Sequence, residues 1–138
     1  MPLTLTLTEG ILPEGSEKVA VAEITASMLK WHGLTGNKAM TPNITATVHI
    51  LPKSRTFSGG KEFSGVWVEW KVPSFAFNDR ELQIGFCKDA TDIIYKLSDN
   101  KQPKDNIYVN VVHAVDGTWN FNGEAMTNEQ IGTAISAG

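Results

Sequence analysis

Residues 1–10 read MPLTLTLTEG, with Leu3, Leu5 and Leu7 alternating against Thr4, Thr6 and Thr8. That is the period-2 pattern of a half-buried β-strand. Pro2 cannot donate to a sheet ladder, so it fits only a strand's first residue or an edge. The strand is therefore expected to start at residue 2, with no leader ahead of it, and to hold that residue at a fixed point of the sheet.

Working outward, residues 13–32 place Val21, Ile24, Met28 and Trp31 at helical spacing, with Ser16 as the expected N-cap and Gly33 as the stop. The stretch NITATVHI (residues 43–50) returns to alternation, with Ile44, Ala46, Val48 and Ile50 against Thr45, Thr47 and His49. A Gly- and Ser-rich loop, KSRTFSGGKEFSG, follows. VWVEWKV then alternates Val66, Val68, Trp70 and Val72 with Trp67, Glu69 and Lys71. The next helix is expected to start near Asn78, with Glu81 completing a capping box and Leu82, Phe86, Ala90, Ile93 and Leu97 as its apolar stripe. IYVNVVHAV closes the second half as a strand. The organisation is thus one domain over residues 1–138: a β-α-β unit at about 2–51, a second at about 65–113 and a C-terminal extension at about 114–138.

Helical crossovers imply parallel pairing within each unit. The expected fold is α+β, a four-stranded mixed sheet with two helices on one face. The other face would carry Thr4, Thr6, Thr45, Thr47, His49, Tyr108 and Asn110. That set is too apolar for a plain wet surface and too polar for a private core, so a homo-oligomer burying it is expected. One wet sheet face is the alternative.

Composition narrows the function classes. A chain of 138 residues with 41% apolar residues can build its own core, and a net charge of −3 argues against a nucleic-acid partner. No apolar run approaches the ~18 residues of a membrane span. The single Cys87 excludes an intrachain disulfide and, with no basic and apolar leader at residue 1, makes a cytoplasmic protein the default. His32, His49 and His113 suit no compact metal motif, and neither a G-x-S-x-G elbow nor a phosphate loop is present.

A proline directly after the methionine, two consecutive β-α-β units and this length together resemble the tautomerase superfamily. ITATVHILPKSRTFSGG is similar to the second strand and Gly-Gly loop of the macrophage migration inhibitory factor-like members. FCKDATDIIYKL with KDNIYVNVV resembles their second helix and fourth strand. WNF, residues 119–121, is similar to a tryptophan motif of that group and of the malonate semialdehyde decarboxylases.

The resemblance implies a cofactor-free homotrimer that transfers a proton between the enol and keto forms of a small α-keto or enol carboxylate. Removal of Met1 would leave Pro2 as a secondary amine, and a base near neutral pH is what such a transfer requires. By the same resemblance Tyr108 and Asn110 line the pocket from a neighbouring subunit, Lys38 falls near a carboxylate-binding lysine, and Trp119 and Phe121 wall the substrate. The dehalogenase and decarboxylase branches hold a carboxylate with arginines after the third strand, where this chain has Lys71 on the strand and Arg80 only in the helix, and a lysine cannot make arginine's bidentate fork. A dehalogenase or decarboxylase, or a non-catalytic binding or signalling protein on the same scaffold, are the alternatives.

Overall fold

The computed structural model describes residues 1–138. In chain order the elements are β1 (Leu3–Thr8), α1 (Ser16–Trp31), β2 (Ala46–Leu51), β3 (Phe57–Ser58), β4 (Lys61–Glu62), β5 (Val66–Pro73), α2 (Arg80–Leu97), β6 (Ile107–Ala114), β7 (Trp119–Phe121), β8 (Glu124–Met126) and α3 (Asn128–Ser136). The main sheet has the order β2-β1-β5-β6. β1 and β2 are parallel, β5 and β6 are parallel, and the two units join through antiparallel β1 and β5. This is the mixed sheet expected from the two crossovers.

Register sorts the side chains onto two faces. Leu3, Leu5 and Leu7 pair with Trp70, Val68 and Val66, and all six are at most 1% exposed. α1 and α2 cover that side with Ile24, Met28, Phe86, Ala90 and Ile94, each 0% exposed. The Phe86 ring meets Trp70 and Phe77 edge-on at centroid distances of 6.2 and 5.2 Å. Ser27 Oγ and Trp31 Nε1 of α1 donate to Asp89 Oδ2 of α2 at 2.9 and 2.8 Å, which ties the helices together. Burial pushes the Asp89 carboxyl up, but these two donors and Lys30 outweigh it and hold its pKa below the ordinary value. Gly85 lets the pair approach, since a Cβ there would stand 2.2 Å from the Trp31 ring.

The covered side stops short of β2. Val48 and Ile50 share a face with the buried leucines yet remain 39% and 51% exposed, because β2 is an edge strand beyond the helices.

Three local expectations shift. Ser16 is the first residue of α1 and caps nothing; Gly15, in the left-handed region at φ 88°, holds the N-cap position. The α2 cap is Asp79, whose Oδ2 accepts the Leu82 N–H at 3.1 Å, while Asn78 Nδ2 donates back to the Ser74 carbonyl. Gly33 does stop α1: its N–H and that of Leu34 donate to the Lys30 and Leu29 carbonyls, closing a Schellman motif. The C-terminal extension is structured. β7 and β8 pair across Asn122-Gly123, both at positive φ, and α3 opens on a capping box between Thr127 and Gln130.

Candidate functional site at the Pro2 end of the sheet

Pro2 is half-buried where β1 begins. The Leu3 N–H donates to the Thr45 carbonyl at 2.8 Å, and the Lys71 N–H donates to the Pro2 carbonyl at 3.1 Å. Extending the β1–β5 register by one residue sets Lys71 directly opposite Pro2, on the face the helices leave open. Cβ atoms so paired stand about 4.5–5.5 Å apart. Lys71 is exposed and makes no ion pair, even with Glu69 two residues earlier on the same strand face.

Met1 bears on the site. Its side chain is 4% exposed and belongs to the core that also holds Met40, Phe121 and Ile131. Its ammonium donates to the Asn43 carbonyl, and burial pushes its pKa down from 8.0 to about 6. With Met1 attached the Pro2 nitrogen is an amide.

The remaining predicted residues lie at different depths. Lys38 is exposed, without an ion pair, in a loop pinned by Asn37. Asn37 Oδ1 accepts from the Ala39 and Met40 N–H groups at 3.1 and 2.8 Å, and Asn37 Nδ2 donates to the Ile135 carbonyl of α3 at 2.9 Å. Tyr108 pairs with Trp67, and the two rings stack at 6.0 Å and 19°. Asn110 pairs with Glu69 and is exposed. The Tyr108 level of the sheet is therefore four residues along from Pro2, roughly 14 Å at ~3.4 Å per residue, and two strands over. One chain thus joins Pro2 to Lys71 but not to its own Tyr108. Trp119 is half-buried against the core, and Phe121, 2% exposed, lies inside it.

Every histidine is engaged. The His32 ring contacts the Met28 carbonyl through Nδ1 at 2.8 Å and accepts the Phe77 N–H on Nε2 at 3.3 Å; burial lowers its pKa. His49 Nε2 lies 3.1 Å from Thr47 Oγ1, and His113 Nε2 2.6 Å from the Ala76 carbonyl. No three His, Cys, Asp or Glu side chains cluster as a metal site would need, and no helix is long and apolar enough to cross a membrane.

Two features escaped sequence reasoning. The Met1 ammonium and its carbonyl partner Asn43 leave no mark in the composition or spacing. The loop after β2 is fixed by a buried hydroxyl chain, Thr8 to Thr56, that joins residues 48 positions apart.

No family model matches this chain, and no curated protein does. Solved structures do. A fused 4-OT described as a wild-type symmetric trimer superposes with a TM-score of 0.76 at 9% identity, covering 96% of this chain and 99% of that one. The structure of Pt0534 inactivated by 2-oxo-3-pentynoate gives 0.75 at 13% identity, over 96% and 99%. N1, a member of the cis-3-chloroacrylic acid dehalogenase family, gives 0.74 at 11%, over 96% and 90%. The fold is the tautomerase fold. At these identities the likeness extends to the fold alone, and the expected two-unit sheet with helices on one face is what these structures share with the chain.

Proposed function

We propose that this protein is a cytoplasmic, homotrimeric tautomerase that moves a proton between carbon and oxygen of a small α-keto or enol carboxylate. Loss of Met1 makes Pro2 the N-terminus, and its secondary amine is the base. The observation that carries this reading is the register that sets Lys71 opposite Pro2 on the open face. A base and a cation on neighbouring strands are the minimum an enolisable acid needs: Lys71 holds the carboxylate as a point charge while the amine takes the α-proton. The sheet end is also a place where burial depresses an amine, as the Met1 ammonium at about 6 illustrates. An amine protonated only in part at neutral pH can both accept and return the proton.

Tyr108, too far along the sheet to meet Pro2 of its own chain, and Asn110, two strands over from it, complete the pocket from the neighbouring subunit, and the open faces are buried between copies. Lys38 is a second candidate for the carboxylate. Trp119 sits at the C-terminal hairpin as an apolar wall, with Phe121 beneath it in the core. The trimer described for a fused 4-OT and the inactivation of Pt0534 by a 2-oxo acid agree with this assembly and substrate class.

A second reading, a non-catalytic binding protein, is favoured by one observation: the Met1 side chain is buried and its ammonium is bonded, which leaves Pro2 an amide. One experiment separates the two. Intact mass establishes which residue is first, and turnover of phenylenolpyruvate is then followed by ultraviolet absorbance for chains starting at Pro2 and at Met1. Turnover by the Pro2 form alone is expected. Equal rates would remove Pro2 as the base and leave the binding reading.

A further inference from the structure

The end of the sheet opposite Pro2 carries a cavity of about 360 Å³. Its wall comes from three connections: Glu9, Gly10 and Ile11 between β1 and α1, Lys53 and Ser64 between β2 and β5, and Lys101 and Gln102 between α2 and β6. Thr8 is six residues along β1 from Pro2, roughly 20 Å at ~3.4 Å per residue. Ile11 packs on the core beneath the helices. Thr6, Trp67 and Tyr108, which mark the open face at this end, take no part in the wall. Burying the open face between copies therefore does not require covering the cavity.

Short hydrogen bonds set the three connections side by side. The Thr8 N–H donates to the Gly65 carbonyl at 3.0 Å, and the Glu9 N–H to the Leu51 carbonyl at 2.8 Å. Gln102 Nε2 donates to the Ser64 carbonyl at 3.0 Å and to the Asn106 carbonyl at 3.3 Å. The Lys53 carbonyl in turn accepts from Thr56 Oγ1 at 3.4 Å. Glu9, Ser64, Gln102 and the stretch from Leu51 to Lys53 are thus bonded neighbours.

The groups they present have no partners in the chain. Gln102 is 5% exposed, and its Nε2 makes the two bonds above while its Oε1 accepts none. Trp70 Nε1 is the one unpartnered side-chain nitrogen or oxygen sealed away from solvent, so Gln102 Oε1 is both unpartnered and reachable from the cavity it lines. A buried acceptor without a donor is costly unless something else supplies one. The Gly10, Ile11 and Ser64 N–H groups donate to no backbone carbonyl. The ion pairs of the protein use Lys30, Lys88 and Lys104, which leaves Lys53, Lys101 and Glu9 free.

This donor set selects its ligand. A volume near the lower end of the roughly 300–1,000 Å³ of ligand sites calls for a small molecule, and a wall with Ile11 as its single apolar side chain calls for a polar one. Two ammonium groups from different connections, with free N–H donors beside them, suit an anion of more than one charge. A phosphate monoester carries about two negative charges at neutral pH. Glu9 would repel a bare anion, and a neutral polyol would leave both lysines without a counter-ion. A phosphate whose ester group bears hydroxyls meets both conditions, because the hydroxyls donate to Glu9 and to Gln102 Oε1.

We propose that this cavity binds a small phosphate monoester carrying free hydroxyl groups, its phosphate between Lys53 and Lys101 and its hydroxyls on Glu9 and Gln102. The site is independent of Pro2 chemistry and holds whether Met1 is kept or lost.

Amide NMR spectra of the full-length protein in its native assembly read occupancy through the Gly10 backbone amide and the Gln102 side-chain amide. The probes are glycerol 3-phosphate, inorganic phosphate as the anion alone and glycerol as the hydroxyls alone. Glycerol 3-phosphate is expected to shift both resonances saturably, with a dissociation constant about tenfold or more below either half, the step that one further hydrogen bond to a charged group brings. Lys53→Gln and Lys101→Gln, exposed positions checked for folding by circular dichroism, should each weaken both phosphates about tenfold and leave glycerol unchanged. Glu9→Gln should tighten inorganic phosphate, because the repulsion goes, and so narrow the gap between the two phosphates. No saturable shift, inorganic phosphate binding as well as its ester (an adventitious ion only), indifference to both lysine substitutions, or a gap unchanged by Glu9→Gln would each overturn the proposal. None of these outcomes bears on turnover at Pro2.

Discussion

The two faces of the sheet are built from the same four strands and end in different conditions. On the helix side, Leu3, Leu5, Leu7, Val66, Val68, Trp70 and Val72 are sealed under α1 and α2. On the other side, Thr4, Thr6, Trp67, Glu69, Lys71, Tyr108, Asn110 and Val112 meet no second layer, and Val112 is 56% exposed. A fully buried aliphatic or aromatic side chain contributes roughly 1.5–3 kcal/mol through the area it removes from water. The covered face can therefore hold the fold alone. The open face adds little to one chain's stability, and its residues are free to serve assembly and binding. The comparison yields predictions that differ in kind as well as in size.

The largest effect belongs to the covered face. Phe86 is 0% exposed and makes edge contacts with Trp70 and Phe77. Phe86→Ala is expected to remove about 3–5 kcal/mol from the unfolding free energy, combining lost transfer energy with an unfilled cavity. Urea denaturation measures it. A loss below about 1 kcal/mol would mean that this core collapses around the gap and that the helix layer is looser than its burial indicates.

The open face should break differently. Val112→Asp adds a charge opposite Lys71 at a position that is exposed in one chain. Chain stability should move by no more than about 0.5 kcal/mol, while the assembly should dissociate. Light scattering would then return a mass near 15.1 kDa for the variant and a multiple of it for the parent. A parent that already runs as a monomer would show that the open face is simply wet, and the shared pocket of Pro2 with a neighbour's Tyr108 would go with it.

The sequence carried the covered face better than the open one for a physical reason. Alternation of Leu with Thr, or of Val with Trp, Glu and Lys, is dictated by burial, and burial is local to a strand. It places Leu3 and Val68 on the same side whatever the strand order. Antiparallel joining of β1 to β5 is a long-range fact, and only that joining sets Lys71 opposite Pro2 and puts Tyr108 far from it. The caps slipped by one residue because Ser16 sits beside Gly15, whose left-handed backbone leads into α1 with no side-chain cap, and Asn78 beside Asp79, whose carboxylate caps α2. The C-terminal extension was given no elements by the periodicity, although Asn122-Gly123 is a hairpin turn and Thr127 with Gln130 has capping-box spacing. The fixing of the loop after β2 was not legible, since it depends on a hydroxyl chain between Thr8 and Thr56.

The smallest effect lies where the two faces meet, at Met1. Its side chain enters the covered core while Pro2, the next residue, faces the open side. The ammonium titrates near 8.0 when unfolded and near 6 when folded, lowered by burial. Between those values the unfolded chain binds a proton that the folded chain does not, so the unfolding free energy should rise with pH from about 6 to about 8 and level off above. His32, also lowered by burial, adds a rise of the same sign that lies below its ordinary value of 6.5 and levels off above it. N-terminal acetylation removes the Met1 contribution and leaves that of His32. The test is thus the difference in slope between free and acetylated Met1 chains. Because the ammonium is partly solvated, the difference should stay below the ~1.4 kcal/mol per pKa unit of a fully buried group. Identical slopes would place the Met1 amine in water. Pro2 would then lose the depressed-amine environment its proposed role draws on, and the covered face would end at Leu3.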